Sequence, residues 1–145
     1  MPVDEKTGPE HDFDFWIGEW EVFGPKGKPL GLSSITPLLG TGALAEHWRG
    51  TGGFEGRSLN SYDRVRGCWH QTWLDATGSV LLLHGGLVDG AMVLEGLAPL
   101  EDGAASQPQR ITWTPEDDGV RQHWQTRESD ADDWTTLFDG HYRKA

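Results

Sequence analysis

Turn signals recur along this chain at an even pace, and that rhythm constrains its fold more than any other feature. They are PKG at 25–27, GTG at 40–42, TGG at 51–53, RVRG at 64–67, DATG at 75–78, DG at 89–90, EDGAAS at 101–106, EDDG at 116–119 and DADD at 130–133. They fall roughly 8–14 residues apart, which is the pace of successive antiparallel strands joined by hairpins. The segments between them have the length of strands, about ten from Glu19 onward, and none carries the spacing of a long amphipathic helix. An open sheet of that many strands would leave edges exposed, and closing it removes them. The expected fold is therefore all-β: a single up-and-down antiparallel β-barrel of about ten strands, with a short N-terminal helical turn plugging one end. A two-sheet sandwich competes, but Greek-key crossings need longer connections than these.

With 145 residues, 36% of them hydrophobic and 24% charged, the chain suits one domain spanning 1–145, with 1–11 as a flexible N-terminal segment. It shows neither a signal-peptide pattern nor an apolar run long enough to cross a bilayer, so a soluble, cytoplasmic protein is expected. The formal net charge is −11, with many acids in the turns. Such a surface repels nucleic acid and anionic membranes, so neither is an expected partner. A small-molecule ligand is expected, and a homodimer is allowed because outer barrel faces can pair. Cys68 is the single cysteine, which excludes a disulfide framework and reads as a small strand residue.

Side chains of a strand point to opposite faces with period two, so alternation sorts the strands into an inner and an outer side. One set holds Leu44, Glu46 and Trp48, then Ser58, Asn60 and Tyr62, then Trp69, Gln71 and Trp73, then Val120, Gln122 and Trp124. The opposite set holds His47, Arg49, Asp63, His70, Arg121 and His123 among smaller apolar residues, as solvent-facing positions would. If the aromatic set points inward, the interior is not a dry aliphatic core. Its amides and carboxylate need partners, internal water or a ligand. The candidate binding residues are therefore Glu46, Trp48, Asn60, Tyr62, Gln71, Trp73, Gln122 and Trp124, with Trp113 joining the wall unless its strand turns Arg110 and Thr112 inward instead. They would grip an apolar or amphipathic molecule between indoles while the polar groups orient one end. Asp89-Gly90 reads as a type I′ hairpin, and Gly85-Gly86 as a bulge or tight bend.

The stretch FDFWIGEWEV opens the ordered part of the pattern. Phe13, Trp16 and Ile17 share one side of a helical turn, with Asp12 as its N-cap, and Trp20 follows at the start of the first strand. Together these four residues read as a structural plug. Gly18-Glu19-Trp20 resembles the G-x-W signature with which calycin proteins (lipocalins, fatty-acid-binding proteins and nitrobindins) begin their first strand, where the Trp packs across the closed end. The segments FDFWIGEW, SLNSYD, WHQTWLD, GGLVDGAMVLEG, RITWTP and FDGHYR also resemble bacterial proteins of this size related to domain-of-unknown-function group 1579. The resemblance implies a calycin-like barrel and no established activity.

Two further chemistries are expected less. Some calycin-like barrels act as cyclases or isomerases, and an enzyme here would cyclise, isomerise or hydrolyse a small apolar substrate in the same cavity, with Glu46, its pKa raised by burial, as the catalytic group and Tyr62 or His84 as a second proton carrier. No nucleophile elbow, P-loop or Ser-His-Asp order accompanies them. The six His form neither H-x-H nor H-E-x-x-H, so no metal site and no cofactor are expected. Resemblance to nitrobindins implies haem held by a late His, which here is His141, with His84 as the alternative. The inward parity of Phe138, Gly140 and Tyr142 turns His141 outward.

Overall fold

A computed structural model describes residues 8–99 and 106–145. Ten strands follow one another: β1 (Gly18–Phe23), β2 (Pro29–Leu38), β3 (Ala43–Gly50), β4 (Glu55–Asp63), β5 (Cys68–Asp75), β6 (Val80–Val88), β7 (Ala91–Pro99), β8 (Ser106–Glu116), β9 (Gly119–Thr126) and β10 (Thr135–Lys144). Each pairs antiparallel with its neighbour in sequence, and β1 pairs with β10, so the barrel is closed and up-and-down. Among the described residues no helix is long and apolar enough to cross a membrane.

The turn signals fall between the strands as expected, apart from EDGAAS, of which 101–105 lie outside the described residues. Asp89 and Gly90 both take positive φ, at 50° and 84°, and join Val88 to its partner Ala91. That is the type I′ geometry two-residue hairpins favour. Gly85-Gly86 departs from expectation, because β6 keeps an unbroken register through both and forms no bulge there. Gly85 instead permits close backbone approach: a Cβ would lie 2.0 Å from the Val93 carbonyl oxygen. The irregularity near the C-terminus is on β10, where the register shifts between Thr136 and Phe138. Leu137 lies outside, and Phe138, Gly140 and Tyr142 turn inward.

The inner side matches the alternation read from the sequence. Leu44, Glu46 and Trp48 on β3, Ser58 and Asn60 on β4, Trp69 and Gln71 on β5, and Val120 and Gln122 on β9 are all buried. Burial of the large members supplies the main favourable term of folding, about 1.5–3 kcal/mol per side chain.

Two turns of 3-10 helix precede β1, at Pro9–His11 and Asp14–Trp16. The N-cap of the second is Phe13, without a side-chain cap, and Asp12 closes the first, so the expected capping role of Asp12 is not realised. Of the segment expected to be flexible, residues 1–7 lie outside the described residues, and the Pro9 carbonyl accepts a hydrogen bond from the Trp69 indole at 3.0 Å.

Phe13 and Trp16 are fully buried and stack at 4.8 Å. Phe13 also meets the edges of Trp69 and Trp113 at 5.6 and 5.0 Å. Ile17 packs against this group, and the Trp20 indole donates to the Trp16 carbonyl at 2.9 Å. Lys144 covers the outer side, with its ammonium 4.2 Å from the Trp20 ring centre and donating to the Ile17 carbonyl. Gly18 is required where the turn enters the strand, since its φ is +150° and a Cβ would lie 2.4 Å from Lys144 Nζ. The four residues read as a plug therefore close one end.

Removing the central ring of this stack should be costly. We predict that Trp16→Ala lowers unfolding stability by about 3–5 kcal/mol, measured by urea denaturation; a loss below about 1 kcal/mol would mean that the stack is not part of the core.

Candidate functional site

Between the plug and the opposite end, the interior holds a chamber of about 30 Å³, lined by Glu46, Gln71, Trp73, Leu81, Ile111, Gln122 and Trp124. Larger hollows, of 270–370 Å³, are lined by hairpin and outer-face residues such as Leu32, Leu74, Pro25 and Thr41. The inner chamber is the smaller space but the chemically distinctive one, because a buried carboxyl forms part of its wall.

Glu46 is 4% exposed and is the one buried charged residue among those described. It lies across from Ile35 on β2 and Ser58 on β4. The Ser58 hydroxyl donates to Glu46 Oε1 at 2.6 Å, and the Asn60 amide donates to Ser58 Oγ at 2.9 Å. The Gln71 amide in turn donates to Asn60 Oδ1 at 2.7 Å. On the other side, the Tyr142 hydroxyl donates to Gln122 Oε1 at 2.6 Å. These chains leave free capacity: among the described residues no hydrogen bond reaches Glu46 Oε2, the Gln71 side-chain carbonyl or the Gln122 amide nitrogen. Ser33 Oγ, on the strand beside Glu46, is buried without a partner as well.

Burial pushes the Glu46 carboxyl up to about 7, and the hydrogen bond from Ser58 only partly opposes it. Desolvation penalises the charged form, and among the described residues no inward cation offsets it. Tyr142 is raised well above the ordinary phenol value by burial and by the Glu46 charge.

The end opposite the plug is ringed by Trp48, Trp73, Trp124 and Phe138, with Trp48 and Phe138 meeting edge to face at 5.6 Å. Three of these rings pack closely against glycines of the wall. A Cβ on Gly56 would stand 2.1 Å from the Trp73 ring, one on Gly31 2.9 Å from Trp48, and one on Gly140 2.6 Å from Phe138. The indole N–H groups are tied down too: Trp73 donates to Asp75 at 3.0 Å, and Trp124 to Gln109 at 2.6 Å. Gln109 is held in turn by Thr126.

Of the expected binding residues, Glu46, Gln71, Trp73, Gln122 and Trp124 meet at the chamber, with Trp48 and Asn60 beside them. Trp113 and Tyr62 do not. Trp113 belongs to the plug, 5.4 Å from Trp16, and Tyr62 packs on Trp69 near that same end. Both were assigned to the cavity by parity alone, which identifies the inner side of a strand but not the height along the axis. His84 is exposed on the outer side of β6, 6.4 Å from His70, so it shares no space with Glu46. His141 also faces outward, against Glu116 and Asp139. Neither ring reaches the interior, and a chamber of 30 Å³ does not admit a porphyrin without displacing the wall. Among the described residues no group of three His, Cys, Asp or Glu is placed to hold a metal ion.

Leu81, Ile111, Gln109 and Thr126 also form this end of the interior, although nothing in their local sequence distinguishes them from ordinary inward residues. No protein-family model matches the chain, and no curated protein does so either.

The raised carboxyl has a consequence for stability. The folded state holds the Glu46 proton more tightly than the unfolded chain, so its stabilising share is fully present below about pH 4.5 and is lost as pH rises through about 7. Glu46→Gln should match the wild type near pH 4.5 and exceed it by on the order of 3 kcal/mol above pH 8. Urea denaturation across that range checks this, and an equal offset at every pH would contradict it.

Proposed function

We propose that this protein binds a small hydrophobic or amphipathic molecule in the barrel interior, at the end opposite the plug. The observation that carries the reading is a buried carboxyl with an unused oxygen, facing a chamber whose other walls are two half-buried indoles, two amides and aliphatic side chains. Buried polar groups without partners cost about 1–3 kcal/mol each, and a ligand would relieve that cost. The chamber has room for about one or two water molecules, so it suits the polar end of a ligand. The body would extend towards Trp48, Trp73, Trp124 and Phe138, with the half-buried rings turning to admit it. Up-and-down closure, the turn before β1 and the G-x-W sequence at Gly18–Trp20 support placing the barrel among calycin-like carriers. The relation to group 1579 rests on the shared segments alone.

Catalysis ranks second. A carboxyl protonated near neutral pH is what general acid chemistry requires, and Tyr142, rather than Tyr62 or His84, is the proton-bearing group that feels its charge.

Titration with 2-naphthylmethanol, followed by native mass spectrometry and tryptophan fluorescence, tests the binding reading. We predict a 1:1 adduct that Leu81→Phe, which fills the chamber, weakens at least about tenfold. Leu82→Phe, on the outer side of the same strand, should leave the adduct intact. Absence of an adduct, or equal loss in both variants, would contradict the proposal.

A further inference from the structure

The chamber's free hydrogen-bonding capacity is lopsided. Glu46 offers a carboxylate oxygen and Gln71 a carbonyl oxygen, neither of which receives a hydrogen bond among the described residues, against one free donor in the chamber wall, the Gln122 amide nitrogen. The two oxygens are acceptors, and Glu46 is the one buried charged group among the described residues. Among the described residues of the strands around it, β10 contributes Tyr142, the one other titratable group facing Glu46; β2, β4, β5, β6, β8 and β9 turn only neutral side chains towards it. The positive charge that would balance an ionised Glu46 is therefore missing from the described interior.

The surrounding surface favours a cation as well. Trp73 on β5 and Trp124 on β9 line the chamber from strands separated by β6, β7 and β8, and indoles attract ammonium groups more strongly than other side-chain rings do. A carboxylate with indole walls complements an organic cation, whereas an anionic or fatty-acid head would meet the Glu46 charge. The size of the space decides which cation. About 30 Å³ accommodates an ammonium head of roughly the bulk of water, but not a trimethylated one.

We infer that the chamber's ligand is an amphipathic primary amine, with its ammonium head donating to Glu46 and Gln71 and its apolar body lying between Trp73 and Trp124. This rests on the reading of the chamber as a binding site and names the class of molecule that fills it. The amine arrives protonated, and Glu46 gives its own proton to the bulk buffer as the ion pair forms. Binding below about pH 7 is therefore accompanied by release of up to one proton, and affinity rises with pH between 6 and 8.

The test compares 2-naphthylmethylamine with 2-naphthylmethanol, which share one skeleton, by isothermal titration in two buffers of different ionisation enthalpy. The amine should bind at least about tenfold more tightly at pH 8, as a charge-assisted hydrogen bond to a buried acceptor would give. It should also release a proton at pH 6, and lose its advantage over the alcohol in Glu46→Gln. The trimethylammonium analogue should bind at least about tenfold more weakly than the primary amine. If the alcohol binds as tightly as the amine, or if Glu46→Gln keeps the preference, the amine assignment is overturned while the binding site stands. If neither compound binds, the site itself is wrong and the assignment falls with it. Equal binding of the trimethylammonium compound would overturn the placement of the head in the chamber.

Discussion

Closure of the sheet is the constraint on which the rest depends. Once Gly18–Phe23 pairs with Thr135–Lys144, no strand has a free edge, and nearly every second side chain is committed to one shared interior. What fills that interior is then a matter of height along the axis. At one end the space is taken by aromatic rings stacked within 4.8–6.4 Å of each other, held by indole hydrogen bonds to the backbone of the entering turn. At the other end the rings lie on glycines and leave a gap. The two ends use the same residue type for opposite purposes, and the glycines account for the difference.

Between them lies a polar layer that the barrel does not need for stability. A buried carboxyl without a cation costs more than a hydrophobic residue of equal volume would, and the hydrogen bonds from Ser58, Asn60 and Gln71 offset only part of that cost. Groups retained at the expense of stability concentrate where a molecule must be recognised or a proton moved. The local polarity of the network points the same way, since the Asn60 and Gln71 amides donate towards Glu46 and leave the Gln71 carbonyl oxygen and Glu46 Oε2 as free acceptors, against the single free donor of Gln122. The proposed recognition of a cationic head rests on that direction of donation together with the absence of an inward cation among the described residues.

Much of the wall was legible in the sequence, because both of its signals are local. Turn residues such as Asp89-Gly90 mark the ends of strands, and period-two alternation marks their inner side, so Glu46, Gln71 and Gln122 could be placed together before any coordinates. Height along the barrel is not local. It depends on strand tilt and register, and for that reason Trp113 and Tyr62 looked equivalent to Trp124 and Trp73 yet belong to the plugged end. The seats beneath the rings were hidden for the same reason. Gly56 and Trp73 are on different strands, and their contact exists only once the strands pair. Gly85-Gly86 misled in the other direction, since the pair looks like a bulge in one dimension and serves close strand approach in three.

The central claim is that the interior is organised around one buried, unpaired carboxyl. The direct measurement is a ¹³C NMR titration of the Glu46 side-chain carboxyl in the free protein, assigned by comparison with Glu46→Gln. The account predicts a midpoint near 7, raised well above the ordinary glutamate value by burial. A midpoint at the ordinary glutamate value would mean that water or a cation already balances the charge. That result would contradict both the buried-carboxyl account and the ligand chemistry drawn from it.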